Sequence, residues 1–306
     1  MNPGFKEKTM KKTILLLICG ILICLAPIAA QQNKPSVQDI IKEYLGTPHS
    51  KNYDENRLRR LHILSKLQSM PNEAVYEISL TLNKTENFVQ RVELIEVLGK
   101  LATPESANIL VDLLDDSEVK IRRQAIMSLR LLSSRIHRSG VVNVPKGPDF
   151  PPKVEGIVPV LIKAADDEDG NNRILALFAL TDTRDSIAVV ELKKRLNDPN
   201  EKVRFKAACF LTEFNDSLGL PELEKKLLKL RNISPDEEFT YYFDAEHLIV
   251  SLQRITGVSM GKIPVVPDAI SSFKGQEESK RDYDKLLKAW DSWLKKNKDK
   301  SEYFTK

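Results

Sequence analysis

A regular spacing of about 31 residues is the feature that most constrains the fold of this chain. Five segments share an arginine, a small or aliphatic residue three positions later and a leucine seven positions later. Successive arginines are separated by 31, 31, 51 and 31 residues, which indicates a repeat of 31 with one insertion of 20. Such self-similarity is the signature of a repeat architecture. The arginines are Arg60, Arg91, Arg122, Arg173 and Arg204.

Each repeat contains two amphipathic stretches. Between the arginine segments, Leu110, Leu161, Leu192 and Leu223 follow the same spacing, and apolar residues recur at i, i+3, i+4 and i+7 around them. Thr103-Pro104 is typical of a helix start, with proline at the first helical position. One helix pair cannot bury its own apolar face, so neighbouring pairs must stack. We therefore expect an all-α solenoid of about six antiparallel helix pairs.

The second helices of two repeats resemble those of HEAT repeats. The segments 121–129 and 203–211 read IRRQAIMSL and VRFKAACFL, and an aspartate lies five residues before each. The short period is similar to the phycobilisome-lyase-like branch of that group. The resemblance covers about residues 54–256 and implies a right-handed superhelix. The sequence departs from the pattern at Ile63 and Leu94, where small residues are expected, and at Tyr242, where arginine is expected.

The chain ends carry different signals. Lys11 and Lys12 precede a 13-residue apolar run and small residues, which is typical of a secretory signal peptide over residues 1–30, cleaved after Ala30. An uncleaved anchor is the alternative, and a lipoprotein fits less well. Residues 31–53 are interpreted as an N-terminal cap or linker, and 54–256 as the solenoid. Residues 257–306 are interpreted as a proline-containing linker and a capping helix with Trp290 and Trp293, although these could instead form an exposed binding face.

The mature charge is balanced. Residues 1–30 hold four lysines and one glutamate, which leaves 43 Lys+Arg against 42 Asp+Glu of the chain's 47 and 43. Nucleic-acid binding depends on neutralising many phosphates, so we expect no nucleic-acid partner. We also expect no stable membrane insertion after cleavage. Cys209 is the only cysteine of the mature chain, which excludes an intramolecular disulfide and favours a buried thiol.

Aspartates and arginines recur six residues apart in the repeats. The pairs Asp54–Arg60, Asp116–Arg122, Asp167–Arg173 and Asp198–Arg204 have this spacing. A catalytic carboxylate is expected once in a chain, whereas these occur once per repeat. We interpret them as a structural ladder, in which the acid caps free N–H groups and attracts a guanidinium from its own or the neighbouring repeat.

Two regions are candidates for partner binding. If the second helices line the concave side, as the resemblance implies, Arg123, Met127 and Arg130 point outward. The insertion, residues 135–153, contains four prolines and two glycines and is long enough to be functional. A tolerated, solvated loop is an equally good interpretation. Its candidate contact residues are Arg135, His137, Arg138, Lys146 and Phe150.

The sequence contains no recognisable catalytic or metal-ligand pattern. The four histidines lack ligand spacing, so no metal and no cofactor are expected. The leading hypothesis is a secreted or periplasmic, monomeric, non-catalytic scaffold that binds another protein or peptide. A lyase-like enzyme acting on a chromophore or modified protein is the alternative, with Cys209 and His247 as its unusual candidates. A structural component of the cell envelope is a third hypothesis.

The signal-peptide interpretation makes one direct prediction. When the full chain is expressed in a secreting host, mass spectrometry of the exported protein should find Gln31 at its N-terminus. An exported product that retains the residues before Gln31, or a chain that stays in the cytoplasm, would contradict it.

Overall fold

The computed structural model describes residues 35–48, 53–137, 157–232, 240–264 and 273–297. The chain divides into two compact units, Met1–Thr85 and Glu86–Lys306, and each is described by itself. We call them the N-terminal and the C-terminal unit. The described residues contain thirteen α-helices and no strand, which confirms the predicted all-α class. In this part of the chain, no helix is both long enough and apolar enough to cross a membrane.

Three helices form the described part of the N-terminal unit. They are α1 (Val37–Gly46), α2 (Tyr53–Gln68) and α3 (Pro71–Leu82). Helix α1 lies inside the segment interpreted as a cap or linker, and it begins with a capping box in which Ser36 and Asp39 satisfy each other's backbone N–H groups. Ile41, Ile63 and Ile78, one from each helix, are buried.

The C-terminal unit contains the other ten helices in the described residues. They are α4 (Phe88–Leu101), α5 (Pro104–Asp112), α6 (Val119–His137), α7 (Ile157–Ala164), α8 (Gly170–Thr183), α9 (Ser186–Arg195), α10 (Glu201–Leu211), α11 (Leu220–Asn232), α12 (Tyr241–Thr256) and α13 (Phe273–Asn297). Short 3₁₀ turns follow α5 at Leu113–Asp115 and α10 at Thr212–Phe214.

These ten helices form two layers. In the first layer, α4, α6, α8, α10 and α12 each pack against the next member. In the second layer are α5, α7, α9, α11 and α13, which pack against the first. The periodic leucines meet between the layers: Leu129, Leu161 and Leu192 are almost fully buried. This is the stacking of helix pairs that the 31-residue spacing predicts.

Polar side chains cap several helices of the C-terminal unit, as the sequence predicts for α5. Thr103 caps α5, with Pro104 at its first position. Asn200 caps α10. Asp169 caps α8 by accepting the N–H groups of two following residues. Asp167 instead accepts the N–H of Asp169 and so shapes the turn before the cap.

The insertion begins later than predicted. Helix α6 runs for 19 residues to His137, so residues 135–137 belong to the helix. The remainder of the predicted insertion, residues 138–153, lies outside the described residues, and the next described segment begins at Ile157 with α7.

Helix α13 covers the end of the helical array. It is 25 residues long, and it packs against α11 and α12. Tyr283, Leu287 and Trp290 are fully buried in a core cluster with residues of both helices, while Trp293 packs at its edge, partly buried. In this part of the chain, α13 lies beside α12 in the second layer.

Glycine permits a close approach between α4 and α6. A Cβ atom on Gly99 would lie 2.7 Å from the Cβ and 3.0 Å from the Cα of Ser128. The hydroxyl of Ser128 donates to the carbonyl of Ile95, 3.0 Å away, across the same contact. Any larger residue at position 99 must therefore push the two first-layer helices apart.

This contact predicts that Gly99→Ala destabilises the protein. Alanine improves helix propensity by about 0.5–1 kcal/mol, but overpacking costs about 1–3 kcal/mol, so the midpoint of thermal unfolding should fall. The loss should be smaller when Ser128→Gly is present, as a double-mutant cycle would measure.

The matched control is Gly46→Ala in the N-terminal unit, since no atom lies within 4 Å of a Cβ placed there. If both alanine variants melt at the wild-type temperature, the close approach is not important for stability.

Candidate functional site

The recurrent arginines bind the turn of their own repeat. Arg122 Nη1 donates to the carbonyl oxygens of Asp116 at 2.9 Å and Ser117 at 3.2 Å. Arg173 repeats this with Asp167 and Glu168, and Arg204 repeats it with Asp198 and Pro199, at distances between 2.8 and 3.2 Å. Each guanidinium therefore binds the turn that connects a second-layer helix to the first-layer helix carrying the arginine.

The same arginines reach the aspartate of the next repeat. Arg122 Nε and Nη2 donate to the two carboxylate oxygens of Asp167 at 2.8 and 3.2 Å. Arg173 makes the equivalent two-pronged contact with Asp198 at 2.8 and 2.7 Å. Arg91 donates to Asp116 at 2.5 Å. This series of contacts, the Asp–Arg ladder, thus runs from each repeat to its successor, over α4, α6, α8 and α10.

The ladder changes at its C-terminal end. Position 229, which is 31 residues after Asp198, holds lysine, so Arg204 has no equivalent aspartate to reach. Its Nε donates instead to Glu222 at 3.3 Å, on α11. In the N-terminal unit, Arg60 Nη1 donates to the carbonyl oxygen of Thr47 at 3.0 Å, and the guanidinium lies 4.0 Å from the centre of the Tyr44 ring. The side chain of Asp54 lies outside the described residues.

Burial makes the Arg122–Asp167 pair electrostatically strong. The two side chains are 9% and 6% exposed. Burial alone raises the pKa of Asp167, but hydrogen bonds from Arg122, the N–H of Asp169 and the amide of Asn172 outweigh it and lower the pKa. The hydrogen bond to Asp167 likewise raises the pKa of Arg122. Both groups are therefore held in their charged forms.

An open acidic cleft of about 500 Å³ lies beside this pair. Asp115, Asp116, Asp166, Asp167 and Glu168 line it, together with Arg122 and Lys163. The cations of the chain already bind these acids: Lys163 contacts Asp115 at 2.7 Å, and Arg195 contacts Asp166. No group of three or more metal-ligating side chains occurs among the described residues.

A second surface is formed by α6 and α8, and it includes the predicted residues Arg123, Met127 and Arg130. The two arginines cross to α8 at either end. Arg123 contacts Asp169 at 3.1 Å, and Arg130 contacts Asp182 at 2.8 Å. Met127 lies between them along α6 and is 48% exposed. We call this set the α6–α8 surface: Arg123, Met127, Arg130, Asp169, Phe178 and Asp182.

Aromatic rings support the α6–α8 surface. The guanidinium of Arg130 lies 3.7 Å from the centre of the Phe178 ring, within the range of a cation–π contact. The ring of Phe178 also stacks on that of Phe210 on α10, with 5.5 Å between the ring centres and an interplanar angle of 7°. Three first-layer helices are thereby joined by one stack, and Arg130 is held in place by the stack and Asp182 together.

The residues considered for enzymatic chemistry lie apart from both surfaces. Cys209 is 4% exposed, and burial raises the pKa of its thiol to about 11, so the thiol is uncharged at neutral pH. His247 is exposed on α12, with Nδ1 2.6 Å from the carbonyl oxygen of Phe243.

The insertion candidates cannot be placed on these surfaces. The side chains of Arg135 and His137 lie outside the described residues, as do Arg138, Lys146 and Phe150 altogether.

Sequence reasoning missed Asn172, which joins the two surfaces. Its amide nitrogen donates to the carbonyl oxygen of Val119 and to Asp167, each at 3.2 Å, and its oxygen accepts from Arg123 Nε at 3.1 Å. In the two flanking repeats of the C-terminal unit, the position equivalent to Asn172 holds Ile121 and Val203, both fully buried. A polar residue between two buried aliphatic equivalents was the signal that could have revealed it.

With this geometry established, the chain can be compared with known proteins. Residues 158–237 match the family model of HEAT repeats. That segment begins in α7 and includes α8 to α11. No curated protein matches the chain significantly in sequence.

Two solved structures align with most of the chain at low similarity. Human deoxyhypusine hydroxylase in complex with glycerol is 18% identical, with 87% of this chain and 99% of that chain covered and a TM-score of 0.26. An engineered protein, Northeast Structural Genomics Consortium target OR329, is 15% identical, with 84% and 98% covered and a TM-score of 0.29.

The Arg122–Asp167 pair predicts a large stability effect. Arg122→Ala removes the partner of a buried carboxylate and the donor to two turn carbonyls, so it should cost about 3–5 kcal/mol. Asp167 has a folded pKa below its unfolded value of about 3.9. The pair's contribution is therefore complete above that pH and is lost as the pH falls through the folded pKa. The difference in melting temperature between wild type and variant should shrink on acidification below about pH 4.

Lys163→Ala is the control for that experiment. Lys163 and Asp115 form an ion pair whose side chains are 62% and 67% exposed, and exposed pairs contribute about 0–1 kcal/mol. A melting temperature that falls equally in the two variants, or a difference that does not depend on pH, would show that the buried pair does not have this role.

Proposed function

We propose that this protein is a helical-repeat scaffold that binds another protein or a peptide on its α6–α8 surface. The observation that supports this most is Met127, a large apolar side chain that is 48% exposed between two ordered ion pairs. Methionine is flexible and polarisable and is common at binding surfaces that accept varied partners. Three residues further along α6, Arg130 is held by Phe178 and Asp182, and such a preorganised neighbour lowers the entropic cost of binding.

The chemistry of the remaining polar residues supports a binding role over a catalytic one. The Asp–Arg ladder recurs along the helices, and its hydrogen bonds are made to aspartates and turn carbonyl groups of the chain itself. Cys209 is buried with a raised pKa, which disfavours the thiolate that a nucleophile requires. We therefore propose a non-catalytic role, together with export directed by residues 1–30.

Substitution of Met127 tests the proposal. Met127→Lys should abolish capture of a stoichiometric partner from an extract of the native cell envelope, because a charge replaces the apolar contact, while the melting temperature stays near that of wild type. The partner is identified by quantitative mass spectrometry of proteins retained by immobilised wild-type and variant chains.

Ile187→Lys is the matched control, since Ile187 is also 48% exposed but lies on α9 of the second layer. Partner capture that survives Met127→Lys, or that is lost only with Ile187→Lys, would place the binding surface elsewhere and contradict the proposal.

A further inference from the structure

The charges of the α6–α8 surface are already matched within the chain. Arg123 and Arg130 carry two positive charges, and Asp169 and Asp182 carry two negative charges at 3.1 and 2.8 Å. These four side chains are 25–37% exposed, so each pair borders solvent and could meet a partner. The surface is nevertheless electrically balanced, although the sequence alone shows two arginines on one helix face.

Asp169 is held by several hydrogen bonds besides that from Arg123. The same oxygen of Asp169 that binds Arg123 also accepts the N–H groups of Asn171 and Asn172, each at 3.0 Å, as the cap of α8. Arg123 has a further fixed contact through Nε to Asn172. A partner carboxylate that took Arg123 would leave an acceptor on the helix cap without its charged donor.

The other arginine is fixed by two different contacts. Arg130 Nε donates to Asp182, and the face of its guanidinium lies over Phe178. A partner carboxylate would have to compete with Asp182 for a guanidinium whose orientation the Phe178–Phe210 stack already sets. Charge complementarity therefore does not favour an acidic partner at either end of the surface.

We infer that the partner contributes an uncharged apolar side chain, which packs on Met127 between the two ion pairs. This inference rests on the proposed function and specifies the partner segment that the surface selects. The ion pairs border the contact and reject a partner that places an unpaired charge over Met127, since burying such a charge is costly. Affinity should then come from apolar contact and depend little on salt, because no net charge is available to steer binding.

Methyl NMR of selectively labelled methionine tests this directly. The protein carries ¹³C-methyl methionine, and the Met127 signal is assigned by its loss in Met127→Leu, with Met70 and Met260 as internal references. The probes are three synthetic peptides of equal length with a Gly-Ser background, whose central four residues are leucine, glutamate or serine. The leucine peptide should shift the Met127 signal and leave the Met70 and Met260 signals unchanged, at both low and high sodium chloride.

Fluorescence anisotropy of the labelled leucine peptide measures the effect of substitutions. Affinity should fall about tenfold or more in Met127→Lys, stay within about threefold in Met127→Leu, and be unchanged in Ile187→Lys. Raising the salt concentration tenfold should change the wild-type affinity by less than about threefold.

The outcomes separate this inference from the proposed function. Preferential binding of the glutamate peptide, with strong weakening by salt, would overturn the inference while a Met127-dependent partner capture still supported the scaffold. A Met127 signal that no peptide moves would also overturn it, and the capture experiment would then decide the proposed function independently.

Discussion

An amphipathic helix pair in this chain leaves apolar side chains uncovered on its flanks, and each pair of the C-terminal unit covers them with the next pair. Leu129, Leu161 and Leu192 are buried because neighbouring repeats lie against them. At about 25 cal/mol for each square ångström of apolar surface removed from water, this burial is the main favourable term for each pair. Stability is therefore shared between neighbours rather than held in one central core.

Apolar packing alone does not define how one helix pair is placed on the next. The arginines fix that placement through directional contacts with the following repeat. A guanidinium offers donors in a fixed plane. In Arg122 and Arg173, one nitrogen binds the carbonyl groups of the preceding turn while two others bind the carboxylate of the following repeat. The turn contacts fix the guanidinium within its own repeat, so a shift of the following repeat would break the two carboxylate contacts. The fixed geometry of arginine explains why lysine does not take this position in any of the five repeats.

The fold was predictable because its cause is periodic, whereas the α6–α8 surface depends on individual residues. The 31-residue spacing is sufficient to predict paired helices, their stacking and the repeated Asp–Arg contacts. It does not predict that the ladder aspartates accept an N–H two residues later, because that depends on local turn geometry. It also leaves out Asn172 and Phe178, since the next repeat has Val203 and Cys209 at the same positions.

Adjacent arginines on α6 show how position rather than residue type decides their role. Arg122 points to the turns, where its side chain is 9% exposed, and it holds two repeats together. Arg123 is 34% exposed and contacts the cap of α8 at the border of the surface that carries Met127. Both bind carboxylates of the same loop between α7 and α8, so a single turn connects the stacking of repeats to the shape of the surface. Removing either guanidinium would leave Asp167 or Asp169 with its backbone N–H donors but without its arginine, and would weaken the contact of this loop with α6.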